Sequence, residues 1–508
     1  MAYPVNRWSS ETTISYTVDL SGAPAIAAGT DESVLFAQVV KGTNPRTGAT
    51  TNGAYDIIVG SINRFGILKW MIKSPKLVTP FNESDISIAV GSGNEIFVAF
   101  VTPSAVQDRF NMSTIPCFCP EICQNTGPYD IVMARIDENA DKTNASVTWV
   151  IQDATINSCN NETKPKLCVD KQKQLLYVTF ECSKVLQCYN IIPSSPNVVL
   201  SCFNFSGVQL WASIYEINSN SQNKKPAVAA ANGAVYVAFE STATVPDGRP
   251  HDSQQVDVVK FITTLSETGE FVSYAKQWTL SNTINLFAYD GTCSDPDITI
   301  DAVGNVTLAM LTTDVVLYGV HSTDFSKNDL VLISFSPDAE LRWMKQGGDL
   351  NLSAYEFRDC YSPSVSSDDS GTLYVSLVTF FYDGLNQNVI VYKINTTTAE
   401  FLWGYRVDYE TFFNCYTLAR TGGPNAVFPS GVGTSSPFSK TTIAAYKRFV
   451  YLGLGTRIPA PAQTKVNSGF DTCLMIFSEV RYFDNYDPFG YMAEVKKICS
   501  CGTPGCAC

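Results

Sequence analysis

Few side chains in this sequence are equipped for chemistry. His251 and His321 are its only histidines, so no histidine-based triad or three-histidine metal site is expected. No Gly-x-Ser-x-Gly elbow, Walker loop or His-Glu-x-x-His run occurs. Thiols are more plentiful, with sixteen cysteines. "CFCPEIC" carries Cys117, Cys119 and Cys123, and "CSCGTPGCAC" ends the chain with Cys499, Cys501, Cys506 and Cys508. Such clusters either pair as disulfides or close on zinc or copper as thiolates. The C-x-C spacing is a poorer zinc signature than C-x-x-C, so stapling is the expected use and the metal stays unspecified. Further disulfide candidates are Cys159, Cys168, Cys182, Cys188, Cys202, Cys293, Cys360 and Cys415.

Carboxylates recur in order: Asp56, Asp130, Asn197, Asp257, Asp329, Asn388 and Asp471. The series would either line a ring that holds calcium or a cationic ligand, or accept backbone hydrogen bonds as Asx turns. Its regular recurrence favours the structural role. "SDDSGTLY" at 367–374 loosely resembles a sialidase Asp box but reads better as a plain turn. Three aromatic-acidic segments, "NLFAYDG", "SAYEFRDCYS" and "DYETFFNCYT", are suited to gripping a glycan or peptide. Tyr289, Tyr355, Phe357, Phe412 and Phe413 are the binding candidates, weighed against loop packing and shared repeat ancestry. No catalytic residue and no cofactor emerge.

What positions these residues is a repeat. Trp70, Trp149, Trp211, Trp278, Trp343 and Trp403 each end a similar phrase, such as "DLVLISFSPDAELRW". Trp8 stands alone near the start, and its missing front half, "DTCLMIF", lies at 471–477. Each unit holds an apolar alternation, a glycine-bearing turn, an aromatic and β-branched run such as "IFVAF", and an Asp- or Asn-led strand that returns to tryptophan. Four antiparallel strands repeated seven times, cut between the termini, predict an all-β, seven-bladed β-propeller spanning 1–477. An N-terminal strand at 8–20 is expected to complete the last blade, and 478–508 to form a Cys-rich C-terminal tail. Connections B–C and D–A are long and share one face, where recognition usually resides.

The unit is similar to the seven-bladed propeller repeats of bacterial surface and secreted proteins known as SBBP-type repeats. "DAVGNVTLAM" with "NDLVLISFSPDAELRW", and "DIIVGSINRFGILKW", carry the likeness over about residues 8–477. It implies the fold and leaves the function open, since propellers host binding, enzymatic and scaffolding roles.

A formal charge of −13 with 16% charged residues argues against nucleic-acid binding. No apolar run approaches the length of a transmembrane segment. Cysteine usage points to an oxidising setting, although no secretory leader is visible. Sequons at Asn82, Asn111, Asn144, Asn161, Asn204, Asn305, Asn351 and Asn395 are compatible with glycosylation. Together these features suggest an extracellular or virion-surface protein, such as a particle component of a large DNA virus. The expected function is non-catalytic, structural or recognition, with a glycan or protein bound on the long-loop face and self-assembly through the tail. A secreted glycosidase or lyase and a filament- or lattice-forming assembly protein are the alternatives.

Overall fold

The computed structural model describes residues 3–10, 24–40, 56–64, 67–77, 79, 82–103, 129–152, 155–157, 161–183, 196–215, 222–242, 254–280, 292–313, 328–347, 358–368, 370–380, 387–407, 438–447, 449–456 and 471–480. They form seven four-stranded antiparallel sheets. Six are built from consecutive strands, designated A to D from the axis outward. Strand A is Ala25–Ala28 in blade 1, Ser84–Val90 in blade 2, Glu162–Asp170 in blade 3 and Asn223–Ala231 in blade 4. It is Cys293–Ile300 in blade 5 and Arg358–Ser367 in blade 6. The seventh sheet joins Phe438–Tyr446, Phe449–Thr456 and Asp471–Val480 to an outer strand from the chain start, Tyr3–Ser10. Trp8 pairs with Ile476.

The closing strand thus begins earlier than the expected 8–20, and residues 11–23 lie outside the described residues. Strand C of blade 7 runs to Val480, past the expected boundary at 477, because it pairs with Tyr3 at its far end. The cysteine tail, 481–508, lies outside the described residues.

Burial follows from strands that are apolar on both faces. Each sheet is sandwiched between two others, so alternation gives way to continuous apolar runs such as Ile131–Ala134, all fully buried. Seven hydrophobic clusters result, one at each junction between neighbouring blades. The ring-closing cluster sets Val34, Phe36, Ile58 and Ile62 of blade 1 against Phe449, Tyr451 and Leu474 of blade 7. The Thr442 hydroxyl also donates to the Pro24 carbonyl across this junction at 2.7 Å.

The recurring tryptophan has a specific task. Its indole N–H donates to the C–D hairpin region of the next blade: Trp70 to Glu138 Oε1 at 2.7 Å, Trp149 to the Phe205 carbonyl at 3.1 Å and Trp211 to Thr263 Oγ1 at 3.2 Å. Trp278 reaches the Pro337 carbonyl at 3.1 Å and Trp343 the Thr396 carbonyl at 2.7 Å. One residue therefore fills the inter-blade core and fixes the angle between blades. Those hairpins hold their shape through Asn or Ser caps, as where Asn204 Oδ1 accepts from the Ser206 and Val208 amides. Gly207 beside it has φ +86, and a Cβ there would meet the Trp149 ring at 3.2 Å.

Candidate functional site at the axis

Strand A is the innermost strand of every blade and has an open edge toward the axis. Its first half is broken by a β-bulge in blades 2 to 7. In five of them the bulged residue has a positive φ without being glycine: Asp85 (48°), Lys164 (53°), Lys225 (48°), Asp295 (48°) and Ser362 (46°). Recurrence of a strained conformation at one rung is an architectural device that re-aims side chains. In blades 3 to 6 the next residue is Pro165, Pro226, Pro296 or Pro363. Proline has no N–H to donate, so it is at home at an edge-strand bulge.

These bulges lie where the D–A connections enter and the B–C connections leave, at the long-loop end of the channel. Along blades 3, 4 and 5 this rung carries a chain of ion pairs. The Lys164 ammonium donates to Glu181 Oε1 at 3.0 Å, and the same oxygen accepts the Lys225 main-chain N–H at 2.6 Å. Lys225 Nζ contacts Glu240 Oε1 at 2.9 Å and Asp295 Oδ1 at 2.6 Å. Glu240 also accepts the Asp295 N–H at 2.8 Å. Burial opposes the Lys225 charge, yet Asp295 and Glu240 hold its basicity above the ordinary lysine value.

One step deeper sit Lys166, Asp297 and Lys440. Lys440 of blade 7 is within electrostatic range of Lys166 of blade 3, Asp85 of blade 2, and Asp295 and Asp297 of blade 5. Blades 7 and 3 are as far apart as a seven-membered ring permits, so this contact runs across the axis. Lys166 and burial together bring the Lys440 amine down to about 8. Burial raises the Asp297 carboxyl, against the opposing pull of Lys166 and of the Val365 N–H, which donates to it at 2.8 Å.

The Asp/Asn series lies on the same face but between strands rather than on the axis. Asp56, Asp130, Asn197, Asp257 and Asn388 are all buried. Asp56, Asp130, Asn197 and Asp329 take part in cross-strand or inter-blade contacts. Lys73 pairs with Asp56 at 2.5 Å, Gln152 donates to Asp130 at 3.2 Å, and Gln346 donates to Asp329 at 3.3 Å. Asn223 of the next blade donates to Asn197 at 3.1 Å. The carboxyls of Asp257 and Glu83 are each pushed up to about 7 by burial. Among the described residues no three His, Cys, Asp or Glu side chains converge as a metal site. Asp368 of the Asp-box-like stretch caps an A–B turn, accepting the Ser370 N–H at 2.9 Å and the Thr372 N–H at 3.1 Å.

The aromatic candidates Tyr289, Tyr355, Phe357, Phe412 and Phe413 lie outside the described residues, as do Cys117, Cys119, Cys123, Cys159, Cys188, Cys415 and the tail cysteines. Three other disulfide candidates are corrected. Cys168, Cys202 and Cys360 are free thiols on strands. Cys168 and Cys202 flank Tyr177 two strands apart, roughly 9–10 Å, beyond the reach of a disulfide. Cys182 and Cys293 also sit on strands rather than in loops, their thiols donating to Glu162 Oε1 at 3.4 Å and Thr312 Oγ1 at 3.8 Å. Of the sequons, Asn82 and Asn144 are exposed, and Asn161, Asn204, Asn305 and Asn395 are half-buried. Asn111 and Asn351 lie outside the described residues.

Sequence reading missed the axial lysines because a bulge has no composition signature. Aligning the strand-A openings would have exposed them: Lys440 stands where blades 1, 3, 4, 5 and 6 carry proline.

No family model and no curated protein matches this chain. Among solved structures it is similar to the phage phi92 endosialidase, with a TM-score of 0.41 and 8% identity over 97% of this chain and 71% of that one. A protein of unknown function from Dyadobacter fermentans DSM 18053 gives a TM-score of 0.41 and 8% identity, covering 78% of this chain and 95% of that one. An endo-arabinase from Bacteroides thetaiotaomicron VPI-5482 gives 0.29 and 12%, covering 63% and 94%. Likeness at this level carries no ligand or reaction to the chain. The fold itself defines the class: an all-β propeller of four-stranded antiparallel blades. No helix among the described residues is long and apolar enough to cross a membrane.

Proposed function

We propose that this propeller is a non-catalytic recognition module that binds a glycan at the long-loop mouth of its axial channel. The observation that carries the reading is the row of Lys164, Lys225, Asp295, Glu181 and Glu240, held on repeated bulges at one end of the axis. Carboxylates that accept and ammoniums that donate alternate along blades 3 to 5. Such a rim suits a polyhydroxylated ligand better than an apolar peptide. The long B–C and D–A connections start and finish at this same end of the blades, where recognition usually resides. Display on a cell or virion surface belongs to the proposal, supported by the exposed Asn82 and Asn144 sequons. The resemblance of the repeat to SBBP-type surface proteins agrees with it.

A glycan array probed with the full chain and with a Lys225→Met/Asp295→Asn double variant tests this. Binding by the parent and its loss in the variant, at an unchanged melting temperature, are expected. No glycan bound, or equal binding by both proteins, would overturn the reading.

The channel also holds an amine near neutrality and a carboxyl of raised pKa, Lys440 and Asp297. That pairing favours a carbohydrate-active enzyme as the second reading. Release of a product from any glycan bound on the array, followed by chromatography, would put that reading first.

A further inference from the structure

We infer that Lys73 and Asp56 close into an isopeptide bond, with Glu83 carrying the protons, so that strands C and D of blade 1 are joined covalently. The inference is independent of what the channel binds.

The geometry of one blade carries it. Asp56 opens strand C of blade 1, Asp56–Ile62, and Lys73 follows strand D, Leu68–Ile72. In blades 2 and 5 the register of Lys73 is held by Gln152 and Gln346, whose amides donate to Asp130 and Asp329 at 3.2 and 3.3 Å. An amide is no nucleophile, whereas a lysine amine is. In blade 1 the lysine closes the gap to 2.5 Å from Asp56 Oδ2. That approach is too poorly aligned to make a hydrogen bond at either Asp56 oxygen. With a C–O bond of about 1.23 Å, the nitrogen lies no farther than about 3.7 Å from the carboxyl carbon. Attack proceeds from about 3–3.5 Å.

The third group comes from the next blade. Glu83 precedes strand A of blade 2 in the register that Asn223 occupies in blade 4. There Asn223 Nδ2 donates to Asn197, the counterpart of Asp56, at 3.1 Å. The junction of blades 1 and 2 thus sets two carboxyls where blades 3 and 4 set two amides. Glu83 Oε1 accepts from the Thr79 N–H at 3.0 Å and the Thr79 hydroxyl at 2.7 Å, while Oε2 is buried without a hydrogen bond among the described residues. Asp56 and Glu83 are only 0% and 2% exposed. Burial pushes the Glu83 carboxyl up to about 7 and raises Asp56 as well, so Glu83 has a proton to give.

In this dry site a proton passes from the ammonium to the Asp56 carboxylate, which relieves two buried charges. The Lys73 Nζ lone pair then bonds to Asp56 Cγ. Glu83 gives its proton to the departing Oδ hydroxyl, the C–O bond breaks and water leaves. Glu83 recovers a proton from the nitrogen. One amide and one water replace one ammonium and one carboxylate, with no oxidant or co-reactant consumed.

Peptide mapping of the reduced, denatured full chain tests the bond. Trypsin should leave Lys73 uncut and release residues 47–64 joined to 70–76, lighter by one water than the two peptides together. Cleavage after Lys73, or a water loss confined to one peptide, would overturn the inference. Lys73→Gln restores the residue of blades 2 and 5 and should give a folded, unlinked protein. Glu83→Gln should slow linkage in freshly made protein about a hundredfold or more; linkage at the parental rate would overturn the role of Glu83. If a variant does not fold, the map of the parent chain still decides.

Discussion

At the scale of single residues, buried groups with displaced ionisation are the most testable. Burial holds the Cys360 thiol up to about 12 and raises those of Cys168 and Cys202 as well. Protonated thiols are poor nucleophiles. Native protein should therefore leave all three unmodified by an aromatic disulfide reagent, and denaturation should release them, as peptide mapping would show. Asp257 gives a pH signature. Its folded carboxyl titrates near 7 against an ordinary 3.8, so the folded state holds the extra proton in between. The stability this confers is complete below about 3.8 and is lost as pH rises through about 7. Asp257→Asn should stabilise the protein at pH 8 by on the order of 1 kcal/mol or more, and much less at pH 4. Asn197 and Asn388 already occupy the equivalent position in other blades. Thermal melts at the two pH values would check it, and equal shifts would refute the carboxyl as the cause.

At the scale of elements, strands and tight turns were largely legible in the sequence, because alternation, β-branched runs and glycine turns are local signals. The tryptophan phrase marked each strand D correctly. The sequence could not say that the indole N–H reaches into the next blade, since that bond depends on the angle between blades. Trp149→Phe keeps most of the apolar contact and removes one of two donors to the Phe205 carbonyl, leaving Arg135 Nη1 at 3.0 Å. It should cost about 0.5–1.5 kcal/mol in denaturant unfolding. Gly207→Ala combines a positive φ with the crowded approach to the Trp149 ring and should be destabilising by about 1 kcal/mol or more. The axial bulges were illegible for the opposite reason. Pro165, Pro226, Pro296 and Pro363 were visible as strand openers, but only pairing register reveals the extra residue before each. Cys293 and Cys360 likewise read as disulfide candidates, and the structure places them on strands facing the hydroxyls of Thr312 and Thr379.

At the scale of the whole molecule, the ring was inferable from two half-phrases, Trp8 and "DTCLMIF", at opposite ends of the chain. The register was not: the closing strand is Tyr3–Ser10. Removing residues 1–10 should uncover the outer edge of the strand spanning Asp471–Val480. An uncovered edge invites pairing with other chains. The truncated protein should melt several degrees lower and show higher-order species on size-exclusion chromatography. Unchanged melting and a clean monomer-sized peak would show that closure rests on the apolar junction of blades 7 and 1 alone.

That shared blade also sets a timetable for biogenesis. The strand Tyr3–Ser10 leaves the ribosome well before its partner and must wait, unpaired, until residues 471–480 have followed. Six blades can form as the chain emerges, but the annulus stays an open arc with one raw flank until synthesis has passed residue 480. Any arrest in translation before residue 471 would leave a product that can never shut. Cells producing this protein thus have a built-in means of telling finished molecules from unfinished ones.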